Sequence, residues 1–181
     1  MHIKKSIYFI GSVLLVFIVF LSGCSTSFQP ATYKGPMLHI ASIGAIPKWD
    51  EKNVMFSEIN FDELTVNELS YFDAVVIGKS ALREASKKEY SQLFSQSNIP
   101  VFFLGASELI PFIDSQKRYD NTWKWQPGSG YALGTVTQEN SDEHRTWDLG
   151  LHKDELTEKT LKDVYARMFL TVASYKREQN Y

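Results

Sequence analysis

The chain has 181 residues, 44% of them hydrophobic and 14% aromatic, a length that fits one domain and leaves little room for two. The first 23 residues hold two lysines and no acid, and the remaining 158 carry 17 basic and 21 acidic side chains, a net −4. Such a balance gives no electrostatic footprint for nucleic acid and, beyond the leader, no polybasic patch for anionic lipid, so no nucleic-acid partner is expected.

Met1 to Ser6 forms a short positive head with Lys4 and Lys5, and Ile7 to Leu21 is an uncharged run of 15 residues. That run is shorter than the roughly 20 residues a helix needs to cross the hydrocarbon core. A charged start, a short apolar run and small residues after it have the form of a secretory signal, with the lysines keeping their end in the cytoplasm. Next comes Leu21-Ser22-Gly23-Cys24. This tetrapeptide resembles the lipobox of bacterial lipoproteins at every position. The resemblance implies a cut between Gly23 and Cys24, a diacylglycerol on the Cys24 thiol and, often, an acylated new amino terminus. It covers the leader and Cys24 alone. The competing reading is an uncleaved anchor with an incidental cysteine. Cys24 is the single cysteine of the chain, and an odd exported thiol calls for a role that lipidation supplies. Each buried methylene adds about 0.8 kcal/mol, so two or more chains anchor stably. The expected organisation is a signal peptide over 1–23, a lipidated anchor and flexible tether over 24–36, and a single domain over 37–181. The expected location is the cell membrane, lipid-anchored and facing outside the cytoplasm. Ser25 to Pro36, rich in Ser, Thr, Pro and Gly, supplies the tether.

Met37 to Ile43 is a short apolar run that suits a buried strand, ending at Gly44. Asn53 to Phe61 partly alternates and suits an exposed or edge strand. Thr65-Val66-Asn67-Glu68 has capping-box spacing and predicts a short helix. Asp73 to Lys79 reads as a central buried strand. Ser86-Lys87-Lys88-Glu89 repeats the capping-box spacing ahead of Tyr90, Leu93 and Phe94, one face of a helix that stops before Asn98 and Pro100. Val101 to Leu104 gives another apolar strand, closed by Gly105. Thr122 to Trp125 and Tyr131 to Thr137 flank Pro127-Gly128-Ser129-Gly130 and predict a hairpin, with Arg145 to Leu151 adding a short strand. Asp154 can cap a helix to about Lys176. Leu161, Val164, Tyr165, Met168, Phe169 and Val172 form its buried stripe, and Lys159, Lys162, Asp163 and Arg167 lie outside.

Strands alternating with helices predict an α/β fold: a three-layer, mostly parallel flavodoxin/Rossmann-like sheet with a C-terminal β-hairpin and a long amphipathic helix. The link Gly44 to Lys52 is short for a parallel crossover, which leaves open an antiparallel edge pairing or an irregular crossover.

Three predicted strands end in glycine, at Gly44, Gly78 and Gly105. In an open α/β sheet ligands bind beyond the carboxyl ends of the strands, at the switch point of strand order. Gly44, Gly78, Lys79, Ser80, Gly105 and Ser107 are therefore the candidate ligand-binding residues. The glycines would allow close approach, Ser80 or Ser107 would present a hydroxyl, and Lys79 would hold an anionic group. The plainer alternative is that glycine makes each strand-to-loop turn and serine caps the next helix. No fuller phosphate fingerprint is present and no cofactor is expected.

Met37 to Asp114 also faintly resembles class I glutamine amidotransferase-like domains. Asp73 to Gly78 is similar to the strand of that group leading to a glycine turn, and Val101 to Leu109 to its strand running into the nucleophile elbow. The resemblance implies a nucleophile where Ser107 stands, in place of the cysteine of active members. Leu109 occupies the position of the second small residue. A serine hydrolase would draw a triad from Ser107, one of Asp114, Asp120, Asp142 and Asp148, and His144 or His152. His144, Asp148 and His152 would share a face only on a helix, which Gly150 and Thr146-Trp147 oppose, so no metal site is expected. His39 is expected as a hydrogen-bonded core residue. Trp123, Trp125, Trp147, Tyr119 and Tyr131 crowd one region, either as a binding surface or as packing. The favoured reading is a membrane-anchored extracytoplasmic lipoprotein with a non-catalytic domain for a protein or small-molecule partner. Its rivals are an enzyme using Ser107 and a structural protein of the cell envelope.

Overall fold

Three apolar segments and one partly alternating one become strands where the sequence places them: β1 (Leu38–Ile43), β2 (Val54–Glu58), the alternating one, β3 (Ala74–Ile77) and β4 (Val101–Leu104). The computed structural model describes residues 28–47, 51–138 and 143–179. Among them, β5 (Ala132–Thr137) and β6 (His144–Leu149) complete one sheet in the order β2-β1-β3-β4-β5-β6. β2, β1, β3 and β4 run parallel, with Ile40 opposite Phe56 and Ala74, and Val76 opposite Phe102. The short first link thus carries a parallel pairing.

The sheet is mixed: three of its five pairings are parallel, as expected, and the β4–β5 and β5–β6 pairings are antiparallel. The cause lies in the long excursion after β4. It leaves and returns at the same edge, where the Gly105 N–H donates to the Tyr131 carbonyl at 2.7 Å. A strand starting at that edge must run back against β4, pairing Leu104 with Ala132. The hairpin also differs from the expected one. Residues 121–123 form a 3-10 turn whose Asp120 carboxylate accepts from the Thr122 N–H at 2.8 Å. Lys124 makes only an isolated bridge to Ala106. The real hairpin is β5 with β6, Thr137 facing His144 and Ala132 facing Leu149.

Successive strand residues point to opposite faces, and both faces are covered, which explains the unbroken apolar runs. Ile40, Val76, Phe102 and Leu104 pack with Val164, Tyr165, Met168, Phe169 and Val172 of the last helix. Ala41, Ile43, Val75, Ile77 and Phe103 pack with Leu82, Phe94 and Phe112. That second face carries α1 (Val66–Leu69), α2 (Leu82–Ala85), α3 (Lys88–Phe94) and α4 (Ile110–Ile113). Thr65 caps α1, its hydroxyl accepting from the Glu68 N–H at 3.2 Å. Ser86 caps nothing. It is buried, donates to the Arg83 carbonyl and accepts from the Tyr119 N–H at 3.0 Å, and Lys87 takes the cap position of α3.

The long helix, α5 (Glu158–Gln179), starts later than Asp154. Asp154 belongs to a 3-10 turn with positive φ at Lys153 and at itself, and Thr157 and Thr160 instead exchange side chain-to-backbone hydrogen bonds at the helix start. Asp163, expected outside, is buried: it accepts from the Ala31 N–H and from Arg167 Nε, each at 2.8 Å. The last part of the expected flexible tether is docked as well. Tyr33 is 4% exposed, packs edge-on to Phe169 and donates to the Pro36 carbonyl at 2.6 Å. Asn53 Nδ2 donates to the Gly35 carbonyl, and Phe28 stacks on His152 with ring centroids 3.9 Å apart. Buried aromatic area and satisfied backbone groups hold this stretch against its composition. The expected signal peptide, the tetrapeptide resembling a lipobox and Cys24 lie outside the described residues.

Candidate functional site

The strand order places the switch point between β1 and β3, since the chain moves outward to β2 on one side and to β4 on the other. Gly44 and Gly78 follow these two strands directly. Gly44 has φ +75°, and a Cβ there would lie 2.9 Å from both Ser80 Oγ and Ala81 Cβ. At Gly78 a Cβ would lie 2.5 Å from the Ala45 carbonyl oxygen. Both glycines are needed because two loops of this chain touch over the strand ends. Their space is filled by the protein itself, which favours the turn-forming reading for Gly44 and Gly78.

Lys79, Ser80 and Ala81 form a 3-10 turn after Gly78. Ser80 Oγ accepts from the Ala45 N–H at 3.1 Å, a bond that ties the β1 loop to the β3 loop and leaves the hydroxyl proton free to donate elsewhere. Lys79 and Ser80 are exposed, and the Lys79 stem passes over Gly105, with Cγ and Cδ 3.5 Å from a Cβ placed there. Gly44, Gly78, Lys79, Ser80 and Gly105 therefore meet around one short turn. The groups left for a ligand are the Lys79 ammonium and the Ser80 hydroxyl, a pair suited to an anionic or carbonyl oxygen.

Ser107 stands further out on the loop after β4. It is half-buried, and its N–H donates to the Trp123 carbonyl at 2.8 Å beside the Ala106–Lys124 bridge. α4 begins only at Ile110, so Ser107 sits on a bridged loop rather than a tight strand-to-helix turn. His144 opens β6 opposite Thr137, at the far end of the sheet from Leu104. The His152 ring is stacked on Phe28. Among the described residues, no side-chain hydrogen bond joins Ser107 to either histidine. His144 and Asp148 lie four residues apart on a strand, about 13 Å at strand rise, too far to share an ion. His39 is half-buried, with Nε2 2.8 Å from Ser57 Oγ and its ring tilted on Phe72.

The aromatic group divides into packing roles. Trp147 stacks on Phe102 at 5.8 Å, and Trp125 meets Tyr131 edge-on while its Nε1 donates to the Ser129 carbonyl. Trp123 packs on the opposite face. Burial pushes the Tyr131 and Tyr119 phenols above their ordinary value, as expected of rings turned inward.

Sequence reading missed a polar cleft at the opposite, amino-terminal edge. It has about 270 Å³ and is lined in part by Phe72, Asp73, Asn98, Lys176 and Gln179. Lys176 Nζ pairs with Asp73 Oδ1 at 2.6 Å, and Asp73 Oδ2 accepts from the His39 N–H at 2.9 Å. The only signal was an acid directly before an apolar strand. No family model, curated protein or solved structure matches this chain.

Proposed function

We propose that this chain is a lipid-anchored protein facing outside the cytoplasm, whose α/β domain binds a protein or small-molecule partner without catalysis. The observation that carries the reading is Leu21-Ser22-Gly23-Cys24 closing a 15-residue apolar run behind a basic head. A single cysteine at that position and no other in the chain supports it. The finer architecture proposed is a three-layer, flavodoxin/Rossmann-like arrangement. It is supported by the strand order β2-β1-β3-β4-β5 and by helices on both faces. Within it, Lys79 and Ser80 beside the switch point are the groups offered to an anionic partner.

Mass spectrometry of the native protein, extracted from membranes, tests the anchor. The expected amino-terminal peptide begins at Cys24 and carries acyl mass, whereas an intact Met1 with a free thiol overturns the reading. A thermal-shift screen of the same material, starting with inorganic phosphate and short dicarboxylates, tests binding. Saturable stabilisation that disappears in Lys79→Ala is expected, and its absence across the screen favours a structural role.

A further inference from the structure

We propose that the carboxyl edge of the sheet, the edge bearing Gly44, Lys79, Ser80 and Gly105, faces the surface of the bilayer that holds the anchor. The inference rests on the lipidation of Cys24 proposed above and on where the described chain begins.

Phe28 is not at the end of a loose tether. Its ring stacks on His152 at 3.9 Å with planes 4° apart, and Lys159 Nζ lies 5.3 Å from its centroid. Three residues on, the Ala31 N–H is held by the buried Asp163 carboxylate. Cys24 is four peptide steps before Phe28. Fully extended, those steps span at most about 14 Å. A thioether-linked lipid at Cys24 therefore keeps Phe28 within that reach of the membrane surface.

Topology fixes which edge Phe28 marks. The parallel strands β1, β3 and β4 end at Ile43, Ile77 and Leu104, and β6 ends on the same edge, since Leu104 faces Ala132 and Ala132 faces Leu149. His152 follows β6 by three residues, and α5 then departs from that edge. The far end of α5 reaches the amino edge, where Lys176 pairs with Asp73 just before β3 and Tyr175 meets the Asn98 carbonyl. The 22 residues of α5 cover about 33 Å at helical rise. With the anchor within about 14 Å of one end of that length, the opposite edge cannot be the one resting on lipid.

Charge does not set the orientation. Around Phe28, Lys153, Lys159 and Lys162 alternate with Asp154, Glu155 and Glu158, and Lys162 pairs with Glu158. Leu156 is 53% exposed among them. Such a mixed rim is neutral toward the bilayer, so the tether length is the determinant, and uncharged phosphatidylcholine is sufficient. The consequence for the site is direct: Lys79 and Ser80 open toward the headgroup zone, and a partner reaches them along the membrane surface rather than from bulk solvent.

The test uses full-length, processed protein in phosphatidylcholine vesicles. With Cys24 blocked by lipid, a single added thiol takes a fluorophore: Leu156→Cys or Glu108→Cys at the proposed near edge, Gln96→Cys at the far edge. Nitroxide-headgroup lipid is the quencher. Quenching several-fold stronger at 156 and 108 than at 96 is expected. Equal or reversed quenching on protein with acylated Cys24 overturns the orientation and leaves the anchor intact, whereas an unacylated Cys24 overturns both. A Gly/Ser insertion of about a dozen residues after Ser25 is expected to remove the difference. A difference that survives the insertion overturns the tether as its cause.

Discussion

One face of the sheet is covered by a single helix of 22 residues, α5, and the other by four helices of four to seven residues each. The difference is one of cooperativity. Helices shorter than about 12 residues do not stand alone in water, so α1 to α4 are fixed by their surroundings. Thr65 caps α1, Ser86 ties the α2–α3 junction to the Tyr119 backbone, and Arg118 donates to the Ser86 carbonyl at 3.0 Å. On the α5 side one stripe of apolar residues packs on β1, β3, β4 and Tyr33, joining the 28–36 segment to the last helix. Loss of contact on that side is felt by the whole domain, while the other side can open piecemeal.

The largest expected effect comes from truncating a ring on each face. Phe169 is fully buried and meets Tyr33, Phe56 and Tyr165 edge-on. Phe169→Ala is expected to cost about 3–5 kcal/mol, read as a fall in urea midpoint that fluorescence and circular dichroism report together. Phe112, equally buried, stacks on Phe103 at 4.1 Å but belongs to the four-residue α4. Phe112→Ala is expected at the low end of the same range, because a short helix can settle into the cavity. Equal costs for the two variants would remove the distinction between the faces.

A smaller effect tests the link between the 28–36 segment and α5. Asp163 is 8% exposed and accepts from Ala31 and from Arg167, which also donates to the Gly150 carbonyl. Asp163→Ala is expected to cost about 1.5–3 kcal/mol, the range for hydrogen bonds to a charged group. Amide exchange at Ala31 should rise more than exchange in β3 or β4. Uniform acceleration across the sheet would show that residues 28–36 belong to the same cooperative unit as the core.

The parallel part of the fold was legible because its signals are local. Apolar runs at 38–43, 74–77 and 101–104, each closed by glycine, appear in the structure as β1, β3 and β4, and the stripe on α5 packs as its period requires. What was not legible depends on contacts far apart in the chain. Gly105 meeting Tyr131 turns β5 around, and no residue near either position announces that pairing. Asp163 reads as surface by helical period, yet a backbone N–H 132 residues away draws it inward. The tether composition of 25–36 concealed Tyr33 and Phe28, whose partners lie on α5 and just before it. At the candidate site, the glycines and Ser80 were found, but their mutual packing over the strand ends follows only from the parallel register.

The smallest expected effect lies on β5, where the parallel and antiparallel parts of the sheet meet. Thr135 is fully buried opposite Val101 and Thr146, and its Oγ1 has no hydrogen-bond partner among the described residues. Val101 and Leu133 place it on the face covered by the short helices. A buried hydroxyl without a partner retains the cost of leaving water, and valine keeps the branched shape without it. Thr135→Val is therefore expected to raise stability by about 1 kcal/mol, or roughly 2–4 °C in Tm for a domain of this size. A fall of similar size would mean that the hydroxyl is satisfied by an internal water, and that the piecemeal face is better sealed than its short helices suggest.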